Sequence, residues 1–214
     1  MRILTFGDSW GVGAGLQSTE KNFTDFLSEF TDAPKTNFSK SGISLGHILH
    51  IYVNNIKKAS KEDFVIVIIP PDVRWYTMKT KNSCSTLAIG DKSYNNFIKD
   101  KSIYWFKYHH SLFIHSLYTI SEYYKLNYIF AHNYGSLKII EPFQPLIPDN
   151  IFLNKKRSLT SLLGSNDYKN YNLKEDGPPA PLVGENFIPG DTHPNEKGHK
   201  VIAQLLLDKF NEKF

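Results

Sequence analysis

The sequence predicts a three-layer α/β domain, a mainly parallel sheet with helices on both faces. Phe64-Val65-Ile66-Val67-Ile68-Ile69 is a continuous, largely β-branched run between Asp63 and Pro70-Pro71. Such a run belongs to a strand buried on both faces. Other strand-like segments alternate with amphipathic helical stretches, the order that produces parallel sheets. Across the 214 residues there is no internal repeat and no long linker, so residues 1–214 are expected to form one domain.

Ile3 to Phe6 is a short buried-strand candidate that runs into a glycine-rich turn, Gly7 to Gly15. Thr19-Glu20 opens an expected helix with Phe23, Phe26, Leu27 and Phe30 at helical spacing. After a short segment around Asn37-Phe38, Ser44 is placed to cap a helix whose stripe is Leu45, Ile48, Leu49, Tyr52 and Ile56. Residues 72–100 read as a long excursion, with turn signals at Gly90-Asp91. A helix is expected over 103–125 and a strand over Tyr128 to Ala131. The stretch 135–190 is loop-rich, with a short helix near 157–163, and its Gly177-Pro178-Pro179-Ala180-Pro181 segment excludes helix and central strand. A last helix covers about 195–212, with Val201, Ile202, Leu205, Leu206 and Phe210 on one side.

Composition narrows the function classes. Hydrophobic residues make up 41% and aromatics 14%, enough for a real core, which excludes wholesale disorder. No apolar run approaches the ~20 residues of a membrane helix. The one cysteine, Cys84, can form neither an internal disulfide nor a cysteine-based zinc site. Net charge is +4, but only Arg2, Arg74 and Arg157 are arginines and the lysines are dispersed. Nucleic-acid readers concentrate their basic residues and favour arginine, so a nucleic-acid partner is not expected. The opening Met1-Arg2-Ile3-Leu4-Thr5-Phe6 is too short for the apolar core of a signal peptide. A cytoplasmic location is expected, with virion association or non-classical export left open.

Ligands of open parallel sheets sit at the carboxyl ends of the strands. Three polar clusters fall there: Gly7-Asp8-Ser9, Ser41-Gly42 and Asp191-Thr192-His193. A serine hydroxyl becomes a nucleophile when an imidazole takes its proton, and a carboxylate fixes the imidazole tautomer. Ser9, His193 and Asp191 supply those three chemistries, and the Ser9 and Gly42 N–H groups could meet a developing oxyanion.

At these residues the chain resembles the SGNH, or GDSL-type, serine hydrolase superfamily. Gly7-Asp8-Ser9 matches its first block, Gly42 within Asn37-Phe38-Ser39-Lys40-Ser41-Gly42 its second, and Asp191-Thr192-His193-Pro194-Asn195 its last. Gly198 and the following helix match the usual continuation, so the resemblance runs from residue 7 to 212. It implies a flavodoxin-like fold and an esterase that forms an acyl-enzyme, without metal or cofactor. The substrate would be a small-molecule or glycan ester, with no membrane partner; no oligomeric state follows. The alternatives are an O-acyltransferase of the same fold and a non-catalytic binding module.

Two departures bear on the chemistry. The family's third block carries an oxyanion-hole Asn, whereas Pro70-Pro71-Asp72-Val73-Arg74-Trp75 has none. Arg74 and Asn133 are the candidate replacements, Asn133 favoured because a neutral amide is cheaper to bury. The acid usually precedes the histidine by three residues, whereas Asp191 is two before His193.

Other motifs compete less well. Gly42-Ile43-Ser44-Leu45-Gly46 has the spacing of a nucleophile elbow, but the residues before it are too polar for the strand an elbow follows. Gly11-Val12-Gly13-Ala14-Gly15 lacks the third glycine of a dinucleotide loop. His47 and His50 share a helix face without an evident third metal ligand. His132-Asn133 ends a strand on the presumed active edge, where it could line the pocket.

Overall fold

The computed structural model describes residues 1–71, 75–80, 83–87, 101–134, 137–164 and 184–214. Four parallel strands form the sheet: β1 (Ile3–Phe6), β2 (Lys35–Asn37), β3 (Phe64–Ile69) and β6 (Asn127–His132), in the order β2-β1-β3-β6. β1 pairs Ile3 with Lys35 and with Phe64, and β3 pairs Phe64 with Asn127. Between β3 and β6, strands β4 (Trp75–Thr80) and β5 (Ser83–Leu87) make a separate antiparallel ribbon within the expected excursion.

The α-helices among the described residues are α1 (Ser9–Val12), α2 (Phe23–Thr31), α3 (Leu45–Ile56), α4 (Ile103–Tyr123), α5 (Leu159–Leu162) and α6 (Glu196–Lys213), with two 3-10 turns at Gln144–Leu146 and Asp149–Ile151. Along β3 the alternation of side chains divides the core. Val65, Val67 and Ile69 face a cluster with Ile48 and Tyr52 of α3 and Ile114 and Leu117 of α4. Phe64, Ile66 and Ile68 face the opposite cluster, with Phe26 and Leu27 of α2 and Ile202 and Leu206 of α6. Every residue of β3 is at most 1% exposed, so this strand is buried on both sides. Each such side chain stabilises the fold by about 1.5–3 kcal/mol relative to an exposed one. Three layers, helix-sheet-helix, are the result.

Two boundaries depart from expectation. Helix α2 starts at Phe23 and not at Thr19-Glu20, because Asn22 caps it in a reciprocal box with Asp25. The segment before Phe38 is an edge strand, although Lys35-Thr36-Asn37 is exposed throughout and has no apolar alternation. A short polar edge resists pairing with other chains, which is why it leaves no hydrophobic signature. Among the described residues, no helix is long and apolar enough to cross a membrane.

Candidate active site

The turn that carries Ser9 is built from the end of β1. Asp8 caps α1 by accepting the Trp10 N–H at 3.2 Å, and Ser9 is the helix's first residue. The helix stops after one turn because Gly13 takes the left-handed conformation, φ +81°, with its N–H on the Ser9 carbonyl at 3.1 Å. Ser9 is only 4% exposed and Asp8 is fully buried. Gly7 is required by packing: a Cβ there would lie 2.8 Å from the Cβ of Ile68.

The loop after β2 is tied to this turn. Phe38 N–H donates to the Thr5 carbonyl at 2.7 Å and Lys40 N–H to the Gly7 carbonyl at 3.0 Å. The Asn37 amide donates to the Gly11 carbonyl at 2.7 Å. Gly42 follows, exposed, with φ +74°. Ser44 is buried and accepts the His47 N–H at 3.3 Å, so it is the helix cap expected of it and not a nucleophile.

Asp191 and His193 sit on a loop folded back on itself before α6. Ile188 N–H donates to the His193 carbonyl and Asp191 N–H to the Ile188 carbonyl, both at 3.0 Å. Asn195 anchors the far end: its side chain accepts the Gly198 N–H at 2.9 Å and donates to the Glu185 and Phe187 carbonyls. Gly198 lets the helix approach, since a Cβ there would collide with the Asn186 carbonyl. The loop abuts the Ser9 turn, because a Cβ on Gly15 would come within 3.2 Å of Asp191 Oδ2.

His193 Nδ1 lies 2.7 Å from Asp191 Oδ1. A carboxylate only accepts, so Nδ1 carries the proton and Nε2 of the neutral ring is left as a base. Burial opposes the Asp191 charge, but the His193 hydrogen bond and the Thr192 N–H at 2.5 Å outweigh it and hold the carboxyl below its ordinary range. The His193 side chain is 20% exposed and that of Asp191 37%, so the pair is reachable from solvent.

Asn133 stands differently from the expected oxyanion donor. It is fully buried, and its amide donates to Asp8 Oδ2 at 3.0 Å, so it supports the turn through Asp8. Its own backbone is fixed: its N–H donates to the Ile69 carbonyl, and its carbonyl accepts both the N–H and the hydroxyl of Thr160. Arg74 lies outside the described residues. His132 is 3% exposed and therefore belongs to the interior. Burial, then Lys40 and His50, depress the His47 pKa. No group of three or more His, Cys, Asp or Glu among the described residues is placed to hold a metal ion.

The sequence motifs single out Ser9, His193 and Asp191 as candidates. They do not disclose the contact between Asp8 and Asn133, 125 residues apart, or the part of Tyr134. Only the strand order β1-β3-β6 brings these residues together.

No family model matches the chain, and no curated protein does. Solved structures do match it along its whole length. A member of the lipolytic protein G-D-S-L family from Veillonella parvula is similar at TM-score 0.53 and 13% identity, covering 99% of this chain and 98% of that one. An esterase from a Pseudoalteromonas species, solved in a form inhibited by monoethylphosphonate, is similar at TM-score 0.52 and 12% identity, covering 99% and 97%. An acetylxylan esterase from Geobacillus stearothermophilus, solved as a catalytic mutant, is similar at TM-score 0.51 and 12% identity, covering 98% and 93%. The chain has the three-layer α/β/α fold of these proteins.

Proposed function

We propose that this chain is a serine esterase of the SGNH type, acting on a small acyl or acetyl ester, carbohydrate esters included. The observation that carries the reading is the 2.7 Å contact of His193 Nδ1 with Asp191. It belongs to a loop that packs against the turn bearing Ser9, within a fold shared with esterases.

Ser9 Oγ attacks the ester carbonyl as its proton passes to His193 Nε2. The carbonyl π electrons move onto oxygen, giving a tetrahedral oxyanion. Asp191 stabilises the imidazolium through Nδ1 and is not itself protonated. The intermediate collapses, the alcohol leaves with the proton from Nε2, and Ser9 carries the acyl group. Water then attacks the acyl carbon as His193 Nε2 takes its proton; collapse breaks the bond to Ser9, Nε2 returns the proton to Ser9 Oγ, and the acid leaves. The Ser9 N–H has no intrahelical partner because Ser9 opens its helix, and with the Gly42 N–H it would receive the oxyanion. Asp8 and Asn133 hold the turn from below.

A fluorophosphonate probe tests the reading. Wild type is expected to be labelled on Ser9, with Ser9→Ala silent and equally well folded. An unlabelled wild type, or a labelled Ser9→Ala, would overturn it. An unlabelled but ester-binding protein would favour the binding-module alternative.

A further inference from the structure

We infer that Tyr134 is a positioning residue that ties the nucleophile turn to the acid–base loop; this rests on the esterase reading above. The Trp10 indole nitrogen lies 3.1 Å from the Tyr134 hydroxyl, and that hydroxyl lies 2.7 Å from the Thr192 carbonyl. Direction follows from chemistry alone. An indole N–H can only donate and a carbonyl can only accept, so the hydroxyl accepts from Trp10 and donates to Thr192. Trp10 is the residue after Ser9, and Thr192 stands between Asp191 and His193. One hydroxyl therefore links chain neighbours of all three candidate catalytic residues.

Ring packing supports the link. Trp10 is 1% exposed and packs edge-on against Tyr134, ring centroids 5.4 Å apart, and against Phe187 of the acid–base segment, centroids 6.5 Å apart. Tyr134 directly follows Asn133, which holds Asp8, the residue before Ser9. Two consecutive residues at the exit of β6 thus grip both chain neighbours of the nucleophile, and the second also grips the base loop. The Thr192 carbonyl has no side-chain identity, so the sequence of the loop cannot disclose this contact.

Tyr134→Phe keeps the ring and its packing on Trp10 and removes only the hydroxyl. Two readouts decide the matter: amide hydrogen exchange across 186–195, and steady-state hydrolysis of p-nitrophenyl acetate. Exchange of the Ile188, Asp191 and Thr192 amides is expected to rise by about fivefold or more, with the β3 amides unchanged, as for a local opening. In the same variant kcat should fall about tenfold, the effect of one lost hydrogen bond, with KM within about twofold. Exchange at those amides within about twofold of wild type would overturn the inference whatever the activity. So would faster exchange with an unchanged kcat in an active enzyme. Should wild type neither hydrolyse the ester nor take a fluorophosphonate, the esterase reading fails on its own, and the exchange data still decide the link.

Discussion

The two ends of the parallel sheet are built on opposite principles. At the amino end, one carboxylate stitches the strands together. Asp63, 2% exposed, accepts the Arg2 backbone N–H at 2.8 Å, the Ser60 N–H at 2.9 Å, and the Arg2 guanidinium at 2.6 Å. At the carboxyl end, short turns stop where glycines adopt positive φ: Gly13, Gly15, Gly42 and Gly190. There a buried carboxylate, Asp8, is spent on orienting the residues beside Ser9. The contrast teaches that a buried acid at one end secures the strands, while at the other it secures the turn that carries Ser9. Substitutions at the two ends should therefore separate activity from stability.

The largest effect is expected at the carboxyl end. His193→Ala and Asp191→Asn should each lower esterase kcat by roughly 10⁴, the former by removing the base and the latter by freeing the imidazole tautomer. Melting temperature should move little, because both side chains are partly exposed. Steady-state kinetics with p-nitrophenyl acetate, paired with calorimetry, would check this. If Asp191→Asn kept the wild-type rate, the site would be a Ser-His dyad and Asp191 a loop residue.

How much of this contrast could be read from the sequence depends on the range of each interaction. β3 was legible because every residue is apolar, and α3 because Ser44 and its stripe are local signals. The candidates Ser9, Asp191 and His193 were legible because their motifs are contiguous. Edge strand β2 was not, since Lys35-Thr36-Asn37 is a strand only by pairing with Ile3-Leu4-Thr5. Asp63 reads as a strand boundary in the sequence because its main partner, Arg2, lies 61 residues away and meets it only through tertiary pairing. From sequence Asn133 is a candidate for the pocket because it follows a strand end; its burial against Asp8 depends on how β6 aligns with β3.

A second prediction concerns acid stability on the site side of the molecule. His199, on α6, is fully buried and accepts the Phe23 N–H through Nδ1 at 3.3 Å. Its proton therefore sits on Nε2, a buried atom with no hydrogen-bond partner among the described residues. Burial first and His193 second push its pKa down to about 4, with Asp25 opposing. The unfolded chain binds this proton near pH 6.5 and the folded chain only near 4, so stability falls as pH drops through that interval. The loss should reach about 3 kcal/mol by pH 4. Denaturant melts at pH 7, 5.5 and 4 should show it, with a flatter profile for His199→Asn. Equal slopes in both proteins would assign the acid sensitivity elsewhere. Asp191 and Asp63, held below the ordinary carboxylate value, lose their contribution mostly below about pH 4 and are the same in both proteins, so the comparison with His199→Asn isolates the histidine.

The smallest effect is expected at the amino end, from Asp63→Asn. Burial disfavours the Asp63 charge, but hydrogen bonds from Arg2 and Ser60 hold its pKa below the ordinary carboxylate range. One oxygen receives the Arg2 backbone N–H and Nε, the other the Arg2 Nη2 and the Ser60 N–H. An asparagine keeps one of these oxygens and turns its NH₂ toward the other pair of donors. Either the Arg2 or the Ser60 backbone N–H then loses its acceptor beside the start of β3. A lost buried hydrogen bond of this kind costs about 1–3 kcal/mol. The Arg2 side chain is 45% exposed, so water takes up its charge and the loss should stay near the middle of that range, about 2 kcal/mol. The contribution of Asp63 is present above the ordinary carboxylate pKa and disappears as pH falls through its depressed value, so wild type and variant should converge in acid. Denaturant midpoints at pH 7 and pH 3 would measure this convergence. Because the change lies at the far end of β1 and β3 from Ser9, kcat of the folded variant should match wild type. A tenfold drop in kcat would break the division between the two ends, because strain at Asp63 would then reach Ser9 along β1.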